Sequence, residues 1–250
     1  MKTARNAAAL IASLTLITAP VLTACEDNTQ DSSSSSSAAS DSSADSSKSD
    51  TKDKDSKDKK TATSDTSPSQ AGSSAKPASG DTQEITGSST GLTFAVPKDW
   101  QDLKNLDPSE KERVAQTMGI DGAALDQQTA AFDVFYRAKK QDSTGFYNNV
   151  NMAAQTQQLT SVPSKSNIEL LLAGQGATLK EYTTKQTAKG EAAVGTYTIQ
   201  GGGKTAEGAV IVVPTSQPTA GAANYTTIYV SAGTADEETQ ITNTIIDTIH

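Results

Sequence analysis

The sequence predicts an α+β domain in which an antiparallel sheet is covered by helices. Three observations carry this. Four runs rich in Thr, Val, Tyr and Ile, over about 178–186, 192–200, 205–213 and 224–231, follow one another with glycine- or proline-containing turns between them, as in an antiparallel meander. Helix-start signatures stand at Asp107, Ser166 and Thr234, each ahead of apolar residues at helical spacing. Residues 82–250 leave roughly 170 positions, a normal length for one domain with a real core.

In chain order, Leu92, Phe94 and Val96 alternate with Thr93 and Ala95, which gives a half-buried strand that stops at Pro97. A turn carrying Trp100 follows, and its position directly after a buried strand makes Trp100 a core residue. Asp107, Pro108 and Glu110 supply an N-cap, a proline at the first helical position and an acid at the third, so a helix runs to about Met118 and ends at Gly119. From Ala130 to Ala138 a strand should place Phe132, Val134 and Tyr136 on one face and Asp133, Phe135 and Arg137 on the other. A second strand after Gly145 groups Phe146, Val150 and Met152, forming a hairpin with the first.

Ser166 and Glu169 form a capping box before Ile168, Leu171 and Leu172, and Gly174 and Gly176 close this short helix. The meander comes next. Thr234 and Glu237 then form another capping box, and Ile241, Ile245 and Ile249 stand four apart on a last helix.

The N-terminal part reads differently. Lys2 and Arg5 precede an apolar run from Ala7 to Leu22, the pattern of a secretory signal; Ser13, Thr15, Thr18 and Pro20 leave it too interrupted for a membrane span of about 20 apolar residues. Leu22, Thr23, Ala24 and Cys25 resemble a bacterial lipobox ending on the only cysteine of the chain. The resemblance implies cleavage after residue 24 and lipid attachment at Cys25, placing the chain on the extracytoplasmic face of the cell membrane. Each buried methylene contributes about 0.8 kcal/mol, so two acyl chains hold where one is marginal.

Residues 25–81 form a tether of Ser, Asp, Lys, Thr and Ala, with too little apolar surface to offset ordering entropy. As a random coil it would span on the order of 40 Å. Between Lys48 and Lys60 the two signs of charge alternate, so no basic patch arises. Asp53, Asp55 and Asp58 mimic the start of a calcium loop but lack its glycine and closing glutamate.

The net charge is −8, and the loss of Lys2 and Arg5 with the signal makes the remainder more acidic still. That excludes nucleic acid and electrostatic attraction to anionic lipid as expected partners. The only histidine is His250, so Ser-His-Asp triads, Cys-His nucleophiles and histidine-rich zinc sites are excluded in their usual forms. No cofactor and no metal is expected. Gly201, Gly202, Gly203, Lys204 and Thr205 lack the first glycine of a phosphate loop and join two strands, so they read as a hairpin turn. Asp236, Glu237 and Glu238 occupy a first helical turn, where negative charge favours the macrodipole. Tyr147, Asn148, Asn149 and Asn151 are the candidate contact residues, because Asn is depleted in strands; the alternative is that their amides satisfy neighbouring backbone groups.

Val96, Pro97, Lys98, Asp99 and Trp100 resemble the strand-end Val-Pro-x-x-Trp of PsbP-like domains, and Phe146 through Asn151 resemble the Asn-Val-Asn strand of the actinobacterial LpqN/LpqT lipoprotein group. The match spans about Gly91 to His250. It implies a central antiparallel sheet with helices on both faces and a non-catalytic binding or adaptor role in cell-envelope upkeep. The partner would be an envelope lipid or glycolipid or a membrane protein, met by a monomer. The other expectation is a carboxylate-dependent hydrolase of wall or envelope glycans, because carboxylate pairs are set in space and not along the chain.

Overall fold

The computed structural model describes residues 74–76, 78–201, 204–216 and 222–250. The expected signal segment, the lipobox with Cys25 and nearly all of the tether lie outside the described residues. Lys76, within the stretch read as tether, donates through Nζ to Asp247 at 2.6 Å and through its amide to the Asp247 carbonyl at 2.7 Å. Among the described residues no helix is long and apolar enough to cross a membrane.

Among the described residues, ten strands and four helices follow in order: β1 Thr82–Thr86, β2 Thr93–Pro97, β3 Trp100–Asp102, α1 Pro108–Met118, α2 Gly122–Thr129, β4 Phe132–Ala138, β5 Asn149–Ala153, β6 Gln157–Leu159, α3 Lys165–Ala173, β7 Thr178–Thr187, β8 Gly190–Gly201, β9 Lys204–Pro214, β10 Ala223–Ala232 and α4 Ala235–Thr248. The main sheet has the order β3-β4-β5-β10-β9-β8-β7, with β6 paired to the first part of β10. Every pairing in it is antiparallel. The predicted meander is thus β7 to β10, and Gly201 faces Lys204 at the β8–β9 hairpin.

One face of the sheet is covered by the β1–β2 hairpin and α4. Phe94, Val96, Trp100, Ile211, Ile228, Ile241, Ile245 and Ile249 belong to this core. Each fully buried aliphatic contributes about 1.5–3 kcal/mol over leaving it in water. The C-terminal turn is stitched to β2: Thr93 and His250 exchange both backbone hydrogen bonds at 2.9 Å, and the Ala95 amide donates to Thr248 Oγ1 at 2.9 Å.

The other face carries three helices. Ile168 and Leu172 of α3 pack with Tyr197, Val210 and Tyr229, while Val114, Ala115 and Leu125 of α1 and α2 pack with Leu103, Phe132 and Phe135. Helices therefore lie on both faces of the antiparallel sheet. α1 starts and stops as its sequence requires: Asp107 accepts from the Glu110 amide at 2.9 Å, and Gly119 takes φ 73°, a left-handed cap that suits glycine.

The structure corrects several expectations. Trp100 is buried as expected but opens β3 instead of lying in a turn. β1, β6 and α2 are additional elements, and Phe146 lies in the loop before β5 instead of in the strand. The α3 cap is Ser164, two residues before the expected Ser166, and its reciprocal partner is Asn167. Thr234 caps α4, but Glu237 accepts from the Thr234 hydroxyl at 3.0 Å in place of the expected backbone bond. Finally, the register slips between Phe132 and Val134. This bulge turns Phe132 onto the face of Phe135, where the rings meet edge to face at 5.4 Å. The Phe132 and Asp133 carbonyls at the bulge both accept from Lys104 Nζ.

Candidate binding site

The strand period fixes what meets on the helix-covered face between α1 and α3. β4 contributes Arg137, β5 contributes Asn149 and Asn151, and β10 contributes Tyr229, because Arg137 stands opposite Asn149 and Asn151 stands opposite Tyr229 in the ladders. Arg137 is 7% exposed, Asn151 5% and Tyr229 8%. Three nearly buried polar side chains thus share one stretch of this face.

The β4–β5 loop is folded so as to lay Tyr147 on Arg137. Asp142 Oδ1 accepts from the Thr144 amide at 2.8 Å, the Thr144 hydroxyl at 2.7 Å and the Phe146 amide at 2.9 Å, and Gly145 turns the chain at φ 80°. Burial pushes the Asp142 carboxyl up, but these bonds from Thr144 and Phe146 and the contact with the Glu237 side chain bring it below its ordinary value. Asn148 Oδ1 accepts from the Gly233 amide at 3.1 Å, tying the loop to the start of α4. The Arg137 guanidinium carbon then sits 4.2 Å from the Tyr147 ring centroid, a cation–π stack.

Of the four candidate contact residues, two take the bland role. Asn148 caps Gly233, and Asn149 Nδ2 donates to the Tyr147 carbonyl at 3.1 Å. Tyr147 stacks on Arg137. Asn151 differs, because its buried Oδ1 has no hydrogen-bond partner among the described residues. Arg137 Nε is likewise buried without an acceptor, and its two terminal nitrogens share one hydroxyl, Thr117 Oγ1, at 3.4 and 3.3 Å. Burial lowers the Arg137 value, an effect that Tyr147 partly offsets. Gln175 Nε2 donates to Tyr229 Oη at 2.8 Å, and burial pushes the Tyr229 phenol up to about 12 despite that bond.

Sequence reading placed Arg137 on its face but did not single it out. The available signal was a lone cation inside the otherwise mostly apolar run Phe132–Ala138, a position where an arginine is expensive unless something compensates it.

The remaining acids are tied to local donors. Asp133 accepts from the Ser88 and Thr90 hydroxyls and the Ser89 and Thr90 amides, and clamps the β1–β2 loop. Burial raises its carboxyl and those four donors more than offset it, leaving the net value below normal. Glu238 is buried in the first turn of α4 and accepts from Thr242 at 2.7 Å, so it is a packed residue as well as a macrodipole partner. Among the described residues no group of three or more His, Cys, Asp or Glu is gathered to hold a metal ion.

Neither a protein-family model nor a curated protein matches this chain. Among solved structures it is similar to LpqN, described as involved in cell envelope biogenesis of Mycobacterium tuberculosis: 14% identity, 67% of this chain and 90% of that chain covered, TM-score 0.40. It is also similar to the solution structure of cyanobacterial PsbP (CyanoP) from Synechocystis sp. PCC 6803: 14% identity, 72% of this chain and 98% of that chain covered, TM-score 0.39. The likeness is one of fold, PsbP-like and LpqN-type, at low sequence identity.

Proposed function

We propose that the chain is an exported lipoprotein, held at the extracytoplasmic face of the membrane through Cys25 and a tether, whose monomeric α+β domain binds an envelope component without catalysing a reaction. The single observation that carries the address is the only cysteine, directly after Leu22-Thr23-Ala24 at the end of a signal-like segment. Binding is supported by the patch around Arg137 and Asn151, where buried polar atoms lack partners among the described residues. Cell-envelope biogenesis, the role given for LpqN, is the setting we extend to this chain. The partner is an envelope lipid or glycolipid, or a membrane protein.

Hydrolysis of glycans finds less support in the geometry. Glycosidase carboxylates stand about 5–10 Å apart around a scissile bond. Here Asp133 and Glu238 are each engaged by their own hydroxyl or amide donors, and Asp142 Oδ1 is taken up by the Thr144 and Phe146 donors of its own loop. The deciding experiment is native mass spectrometry of the full-length protein after incubation with total envelope lipid and glycolipid extract. A retained adduct, lost on unfolding, is expected. Glycans cut to smaller species without an adduct would overturn the reading in favour of the hydrolase.

A further inference from the structure

We infer that Arg137 is the anchoring cation of an oxyanion site on the helix-covered face, which takes a phosphate or carboxylate group. The inference names the ligand class of the same patch and rests on the proposed binding role, but on no assumption about Cys25 or the membrane.

Arg137 is 7% exposed, and none of the ion pairs among the described residues includes it. A buried charge is costly unless it is paired and hydrogen-bonded. Guanidinium offers five N–H donors, yet among the described residues its side-chain acceptor is the single Thr117 hydroxyl at 3.3–3.4 Å, and Nε has none. Among the described residues no carboxylate pairs with this buried cation, so an anion brought from outside is the partner its chemistry fits.

The Tyr147 ring centroid lies 4.2 Å from the guanidinium carbon, and the hydrogen-bonding fork of a guanidinium lies in its plane, at its edge. That in-plane fork is what matches the two oxygens of a carboxylate or phosphate, which a lysine ammonium does not reproduce. Asn151 stands diagonally across the β4–β5 pair, since Arg137 faces Asn149 and Phe135 faces Asn151. Diagonal neighbours are about 7–8 Å apart, a span that one phosphate group with its contacts fills. The unpartnered Oδ1 of Asn151 accepts a hydrogen bond, so the ligand presents a hydroxyl beside its charged oxygens, as a hydrogen phosphate or a polyol phosphate does. Thr117, Tyr147 and Asn149, which border the cation, are half-buried.

The test is a titration of full-length protein, ¹⁵N-labelled at arginine, with inorganic phosphate, acetate and glycerol 3-phosphate, with glycerol and sodium chloride at matched ionic strength as controls. Expected is a saturable shift of the Arg137 Nε–H resonance with the anions and not with either control, accompanied by a higher Tm. Tighter binding of glycerol 3-phosphate than of inorganic phosphate identifies a headgroup site, and equal binding a free-anion site. Arg137→Lys keeps the charge but loses the fork, and should weaken binding by at least about tenfold. Asn151→Asp supplies a carboxylate in place, and should raise Tm while abolishing anion binding. No saturable binding by the unmodified protein, or equal binding by Arg137→Lys and Asn151→Asp, would overturn the assignment.

Discussion

Asp133 holds Thr90 by two bonds, accepting from its amide and from its hydroxyl at 3.1 Å each. The same carboxylate takes the Ser88 hydroxyl and the Ser89 amide at 2.9 Å, so one bulged residue of β4 fastens the loop of the β1–β2 hairpin to the sheet. Removing it strands several donors at once. Asp133→Ala should cost about 2–3 kcal/mol in urea unfolding, with Asp133→Asn intermediate. Because its folded value is depressed, the stabilisation is present above the ordinary aspartate range and is lost as pH falls through the lower folded value. The difference between the wild type and Asp133→Asn should therefore hold from neutral pH down to about pH 4 and close below it.

Glu238 has the opposite sign. Burial raises its carboxyl, helped by Glu207, and the Thr242 and Thr239 hydroxyls and Lys180 offset only part of this. A carboxyl raised on folding destabilises the folded state above the folded value and is neutral below the unfolded one. Glu238→Gln should raise Tm at pH 7, with the gain shrinking as pH falls towards about 4.5. A gain that persists unchanged at pH 4 would show that charge is not its cause.

The cap of α3 gives a paired test. Ser164 and Asn167 satisfy each other reciprocally at the helix start, whereas Ser166 lies inside the first turn. Ser164→Ala should cost about 1 kcal/mol and Ser166→Ala less than about 0.5 kcal/mol, both read from denaturant midpoints at constant m.

Gly208 is needed for space and not for backbone freedom. A Cβ there would lie 2.4 Å from Cζ of Tyr197, the residue opposite it in the β8–β9 ladder. Tyr197 is 4% exposed and has little room to give. Gly208→Ala should destabilise by about 1–3 kcal/mol, and a second change, Tyr197→Leu, should cost less in that background than alone.

Much of the fold was legible because its signals are local. The meander from Thr178 to Ala232 announced itself by β-branched runs between turns, and Asp107 to Gly119 carried both ends of α1. Phe132 was misplaced because a bulge reverses parity without any marker in the residues around it. α2 was missed because Gly122–Thr129 is short and its apolar residue at full depth is Leu125, too little for a helical period to show. The site was half legible. Asn151 and Tyr147 stood out by type, but Arg137, Gln175 and Tyr229 meet them only through the pairing of β4, β5 and β10 and the approach of α3, and pairing is a long-range property.

The proposed address stands on one atom, Cys25 Sγ, and metabolic labelling with an alkyne palmitate tests it most directly. The full-length chain should carry the label and fractionate with membranes, and Cys25→Ala should lose both. A Cys25→Ala chain that still labels, or an unlabelled wild type that is exported to the medium, would contradict the account.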